Sequence, residues 1–121
     1  MILVDTSVWA DHLRFGLPAF ESLLDRRKVL CHPFITGEVA MGYLKNRAHI
    51  LHEMQRLPRS VVASNLEVLD FIGRNALFGR GIGYVDAHLL VSTILTSGAT
   101  LWARDKRLFA AAQEFKVGAV I

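Results

Sequence analysis

A chain of 121 residues, 52% hydrophobic and 21% charged, is long enough for one compact domain with its own core and too short for two, and it has no low-complexity segment of the kind that stays disordered. Met1 leads straight into a three-residue apolar run that Asp5 ends, with neither a secretory leader nor a stretch of about 18 apolar residues, so a cytoplasmic location is expected and a membrane partner is not. The lone cysteine, Cys31, excludes an internal disulfide and a thiolate metal site and suits a buried small hydrophobe.

The elements alternate along the chain. Ile2 to Val4 has the pattern of a buried parallel strand, and Thr6 and Ser7 then open a helix over about Ser7 to Arg14. Trp9, Phe15, Phe20 and Leu24 suit a core, and any that remain exposed suit a partner helix. Arg26, Arg27 and Lys28 mark a solvated helix end. Val29 to Cys31 is a second strand, after which Ile35, Val39, Gly42 and Tyr43 recur at helical spacing with Glu38 beside the stripe. A helix over about Ala48 to Leu57 ends at Pro58, with His49 and His52 at its surface, and Ser60 to Ala63 is a short strand. Ser64 and Glu67 form a capping box for a helix whose stripe is Leu69, Ile72, Gly73 and Ala76.

The break at Gly79, Gly81 and Gly83 lacks the Lys-Ser/Thr of a phosphate loop and is a connection. From Tyr84 follows a helix apolar nearly all round (Ala87, Leu90, Val91, Ile94, Leu95), with Asp86 in its first turn. Thr100 to Ala103 is a strand, Leu108, Ala111, Ala112 and Phe115 mark a last helix, and Ala119 to Ile121 a last short strand. Strands and helices in alternation, with no linker or repeat, predict one α/β domain over residues 1–121 built on a parallel sheet.

Four acids stand out from this layout. Asp5 and Asp105 each follow the C-terminal end of a predicted parallel strand, the edge at which open α/β sheets bind ligands. Either is equally placed to cap the helix that follows. Asp86 is a carboxylate on an apolar helix, where desolvation demands a partner. Glu38, alone, suits a solvated helix position. Gathered together, the four repel one another unless a cation lies among them, and oxygen-only ligands point to Mg²⁺ or Mn²⁺. With those four set aside, 14 basic residues face 7 acidic ones, a balance that suits an anionic partner such as a nucleic acid.

Val4-Asp5-Thr6-Ser7-Val8-Trp9, Gly37-Glu38, Val85-Asp86-Ala87 and Arg104-Asp105-Lys106-Arg107-Leu108 together resemble the motifs of PIN-domain nucleases, and the chain looks like a VapC-type toxin along essentially its whole length. The resemblance implies a three-layer α/β/α fold with a central parallel sheet and Mg²⁺- or Mn²⁺-dependent cleavage of RNA at Asp5, Glu38, Asp86 and Asp105. It also implies inhibition by a cognate antitoxin, and a homodimer. Asp5 and Asp86 would be the principal metal ligands, Glu38 and Asp105 would complete the pocket directly or through water, and Ser7 would support it by hydrogen bonding. The family frequently has Thr or Ser two residues before its last acid, and here that position is Ala103. Arg104, Lys106 and Arg107 flank the pocket and are candidates to hold the RNA backbone. The rival reading is a PIN-like interaction module without catalysis, which would be expected to have lost pocket acids. A phospho-acceptor receiver domain is excluded because no pair of adjacent acids follows the first strand.

Overall fold

The computed structural model describes all of residues 1–121. Strand β1 (Ile2–Val4) lies at the centre of a three-stranded, all-parallel sheet, between β2 (Val29–Leu30) and β3 (Thr100–Trp102). Leu3 pairs with Leu30 on one side and Leu101 on the other. The side chains of Leu3 and Val4 are fully buried, as a strand covered on both faces requires.

Helices α1 (Thr6–Phe15), α2 (Pro18–Asp25), α3 (Pro33–Ala40) and α4 (Arg47–Arg56) form one packed group, and α5 (Asn65–Arg74), α6 (Tyr84–Leu95) and α7 (Lys106–Glu114) another. With the sheet between them, this is the α/β/α arrangement of a PIN-like fold. One core of 25 buried residues runs through it, including Phe20, Ile35, Leu89, Leu90, Leu101 and Leu108. No helix is long and apolar enough to cross a membrane.

Most predicted elements are present, and the differences have physical reasons. The expected strand at Ser60 to Ala63 is reduced to a single bridge between Cys31 and Arg59. The N–H groups that a ladder would need are taken instead by α6 and the turn after it: Val61 donates to Thr96 Oγ1 at 2.9 Å and Ala63 to Ser92 Oγ at 3.1 Å. The expected strand at Ala119 to Ile121 is likewise one bridge, Leu101 to Gly118, and Val120 and Ile121 lie exposed beyond it.

Helix α3 stops at Ala40 rather than continuing through Gly42 and Tyr43. The Gly42 N–H reaches Val39, three residues back, the chain leaves the helical path, and Tyr43 stands entirely in solvent. On α5 the capping box forms as expected, but the buried face is displaced: Val68 is buried while Leu69 is exposed, and Ala76 lies beyond the helix with φ 48°. Strand β3 ends one residue early, at Trp102. Helix α2 was not separately foreseen, though Gly16 with φ 72° ends α1 and Pro18 opens α2, the usual punctuation for consecutive helices. Of the early aromatics, Trp9 and Phe20 pack edge to face with centroids 4.7 Å apart, whereas Phe15 is exposed. Cys31 is buried, and His49 and His52 lie at the surface.

Candidate active site

Asp5 and Asp105 stand where β1 and β3 give way to α1 and α7, while Glu38 comes from the second turn of α3 and Asp86 from the first turn of α6, and the charges of the other three acids all act on Asp86. Asp5 leaves β1 with its N–H bonded to Trp102 O at 3.1 Å, so the neighbouring strand fixes its backbone. It is also the N-cap of α1, accepting from the Thr6 N–H at 2.7 Å and from the Ser7 hydroxyl at 3.2 Å. The candidate site acid is therefore also a helix cap, and the hydrogen bond expected from Ser7 is present.

The next residue, Thr6, connects two elements: its hydroxyl donates to Glu38 Oε1 at 2.7 Å, tying α1 to the second turn of α3. Nothing in the sequence marked this bond, because the two residues are 32 positions apart. Asp86 projects from the first turn of α6, whose next turns are buried through Thr93. Asp105 caps α7, its Oδ1 accepting from the N–H groups of Arg107 at 2.9 Å and Leu108 at 3.1 Å. With Ala at position 103, the donors to Asp105 are these two backbone groups of its own helix.

The charges of these acids are felt across the site. Asp86 is pushed from 3.8 up to about 6, first by burial and then by Asp5, Glu38 and Asp105 in turn. Asp5 is raised as well, chiefly by burial, with Glu38 and Asp105 adding to it against the lowering effect of its own hydrogen bonds to Thr6 and Ser7. Asp105 goes the other way: it is exposed, and the Leu108 and Arg107 N–H groups hold it below its ordinary value. As they stand, no three His, Cys, Asp or Glu side chains are gathered closely enough to hold a metal ion. The acids are neighbours in charge rather than a finished cage.

Two buried histidines fix the helices that carry these acids, and neither was foreseen. His32 caps α3 by accepting from the Phe34 N–H at 3.0 Å, so its other ring nitrogen carries the proton and donates to Ser92 Oγ of α6 at 3.1 Å. Burial lowers it to about 4, which keeps it neutral at neutral pH. His88, two residues from Asp86, bonds Asn65 Oδ1 at 2.9 Å, and the same oxygen accepts from the Tyr84 hydroxyl at 3.1 Å, locking the start of α6 to the start of α5.

Comparison with known proteins decides the family. The chain is 47% identical over 114 residues to Ribonuclease VapC32 of Mycobacterium tuberculosis in two strains, covering 94% of this chain and 92% of the relative. The chain belongs to the VapC ribonuclease family. No family model and no solved structure matches it.

A VapC ribonuclease acts on a polyanion, so the cations beside the acids matter as much as the acids. Of the three flanking candidates, Arg104 is engaged in an ion pair by Asp11, in the middle of α1. Lys106 and Arg107 are exposed on the first turn of α7. Beside the acids a groove of about 410 Å³ opens between α1, α3 and α4, with Thr6 and Glu38 in its lining and Leu13, Val39, Leu44 and Ile50 supplying apolar surface.

Proposed function

We propose that this VapC-family ribonuclease is the toxin of a toxin-antitoxin pair, an endoribonuclease that acts in the cytoplasm and uses Mg²⁺ or Mn²⁺. The observation that supports the metal reading is Asp86, pushed up to about 6 first by burial and then by the charges of Asp5, Glu38 and Asp105. An oxygen-only donor set under that repulsion fits a hard divalent cation. Asp5 and Asp86 would hold it, with Glu38 and Asp105 completing the site. A divalent ion so bound lowers the pKa of water and offsets charge building on the phosphate.

The chain's own groups do the rest. Ser7 and the Thr6 N–H orient the Asp5 carboxylate, and the Thr6 hydroxyl fixes Glu38 beside it. No side-chain nucleophile is needed. The retention of all four acids counts against a non-catalytic module. The exposed apolar residues Leu66, Leu69 and Phe78 support self-association as a homodimer.

The apolar groove supports the antitoxin reading: an amphipathic segment laid along Leu13, Val39 and Ile50 reaches Glu38 at the acid end. A basic side chain there would compete with the metal for the same carboxylates. The decisive experiment incubates the purified protein with cellular RNA and sequences the new ends, with Mg²⁺, with Mn²⁺ and with EDTA. Discrete internal cuts that vanish in EDTA support the reading; cuts that persist in EDTA refute the metal mechanism.

A further inference from the structure

The glycine-rich loop before α6 is joined to α7 by two arginines, one at each end of that helix. Arg80 forms a two-pronged pair with Glu114 of α7, at 2.8 and 3.1 Å, and its donors are engaged there. Arg107 reaches back across the loop and lies on Gly81. A Cβ at position 81 would overlap its Nη1 and crowd its Cδ and Cζ at 3.1 and 3.2 Å, so the missing side chain is the seat the guanidinium occupies. Gly81 also has φ +78°, a conformation other residues avoid.

Seated there, Arg107 has donors to offer. Its nearest carboxylate oxygen, Asp105 Oδ2, is 3.9 Å from Nη2, too far for a hydrogen bond, and the side chain is 64% exposed. The contrast with its neighbour is informative: Arg104 is paired with Asp11, so only one of the two arginines flanking Asp105 has an unengaged fork. An RNA strand approaching four carboxylates meets repulsion, and the planar guanidinium binds phosphate through two parallel hydrogen bonds.

We propose that Arg107, held in place by Gly81, is the residue that grips an RNA phosphate beside the acid cluster. The proposal rests on the ribonuclease reading for its ligand, and its test separates the two. The probe is a short mixed-sequence single-stranded RNA, titrated in EDTA, where the metal mechanism leaves it uncut, against the full-length protein over a range of salt. Cleavage of the same RNA by the same proteins in Mg²⁺ is measured in parallel.

Removing one phosphate contact from a single strand flattens the plot of log affinity against log salt by about 0.7. Arg107→Met is expected to show that loss and to weaken binding several-fold, and Arg107→Lys to keep the slope with part of the affinity. Gly81→Ala, which displaces the guanidinium, should weaken binding in wild type but add little to Arg107→Met. Arg26→Gln, at the far edge of the sheet, should leave the slope alone. Equal slopes and affinities for wild type and Arg107→Met, or no salt-dependent binding by wild type, overturn the proposal. Binding that depends on Arg107 in a protein that cuts no RNA upholds the contact and refutes the ribonuclease reading.

Discussion

Asp86 and Asp105 are the same side chain at the same edge of the same fold, yet their surroundings drive them in opposite directions. Asp86 is half-buried on an apolar helix, receives no hydrogen bond, and is pushed to about 6. Asp105 is exposed, accepts two backbone N–H groups, has Arg107 beside it, and is held low. An acid without donors is unsatisfied until a cation arrives, whereas a capping acid is already satisfied by the fold. Asp5 stands between the two, capped like Asp105 but raised like Asp86. On the proposed metal reading, the difference separates the residues that would hold an ion from those that would border it.

The largest effect should come from the unsatisfied side of the site. Asp5→Asn or Asp86→Asn should reduce RNA cleavage at saturating Mg²⁺ by at least about tenfold in kcat, since each removes a charge that would hold the ion. The satisfied side should matter less: Asp105→Ala should cost less activity than Asp5→Ala. Equal losses in the same assay would erase the distinction between them.

Stability in EDTA sharpens the contrast further. Because the folded-state pKa of Asp86 lies above 3.8, its neutral form favours folding at low pH, and that contribution is lost as pH rises through about 6. At pH 7 the metal-free wild type therefore carries a penalty that Asp86→Asn lacks. Discounted for solvent screening at a half-exposed group, it is about 1 kcal/mol, so the variant should melt higher by roughly 3–5 °C. The gap should close near pH 4, and added Mg²⁺ should reverse it by stabilising wild type alone. Asp105→Asn, which weakens a helix cap, should melt no higher than wild type at any of these pH values.

The smallest effect is expected at Ala103. Asp105 Oδ1 already has two backbone donors, so Ala103→Thr should change cleavage by no more than about twofold. A large gain would mean that the backbone cap leaves Asp105 poorly placed.

What was legible in the sequence was local. Asp5 before Thr6, Ser64 with Glu67, and the apolar run around Asp86 announce a cap, a capping box and a buried helix through neighbours within four residues. Asp5, Asp86 and Asp105 were singled out in this way, together with the parallel sheet that aligns two of them, whereas Glu38 was singled out through the resemblance alone. What was hidden depends on distant partners. Thr6 to Glu38 and His32 to Ser92 span 32 and 60 positions, and no periodicity predicts them. Val61 and Val62 have the composition of a strand, but Thr96 and Ser92 capture N–H groups of that segment. The buried face of α5 shifted by one residue because Val68, not Leu69, meets the core. A helical stripe fixes the period more firmly than the phase.

The central claim is that Asp86 shares one electrostatic site with the other acids and that a divalent ion relieves it. Carboxyl-carbon NMR titration of Asp86 tests this in the intact protein without a substrate. In EDTA its midpoint should lie near pH 6, falling when Asp5 is replaced by Asn and falling further in wild type when Mg²⁺ competes with the proton. A midpoint near the ordinary aspartate value, unmoved by Asp5→Asn and by Mg²⁺, would contradict the account.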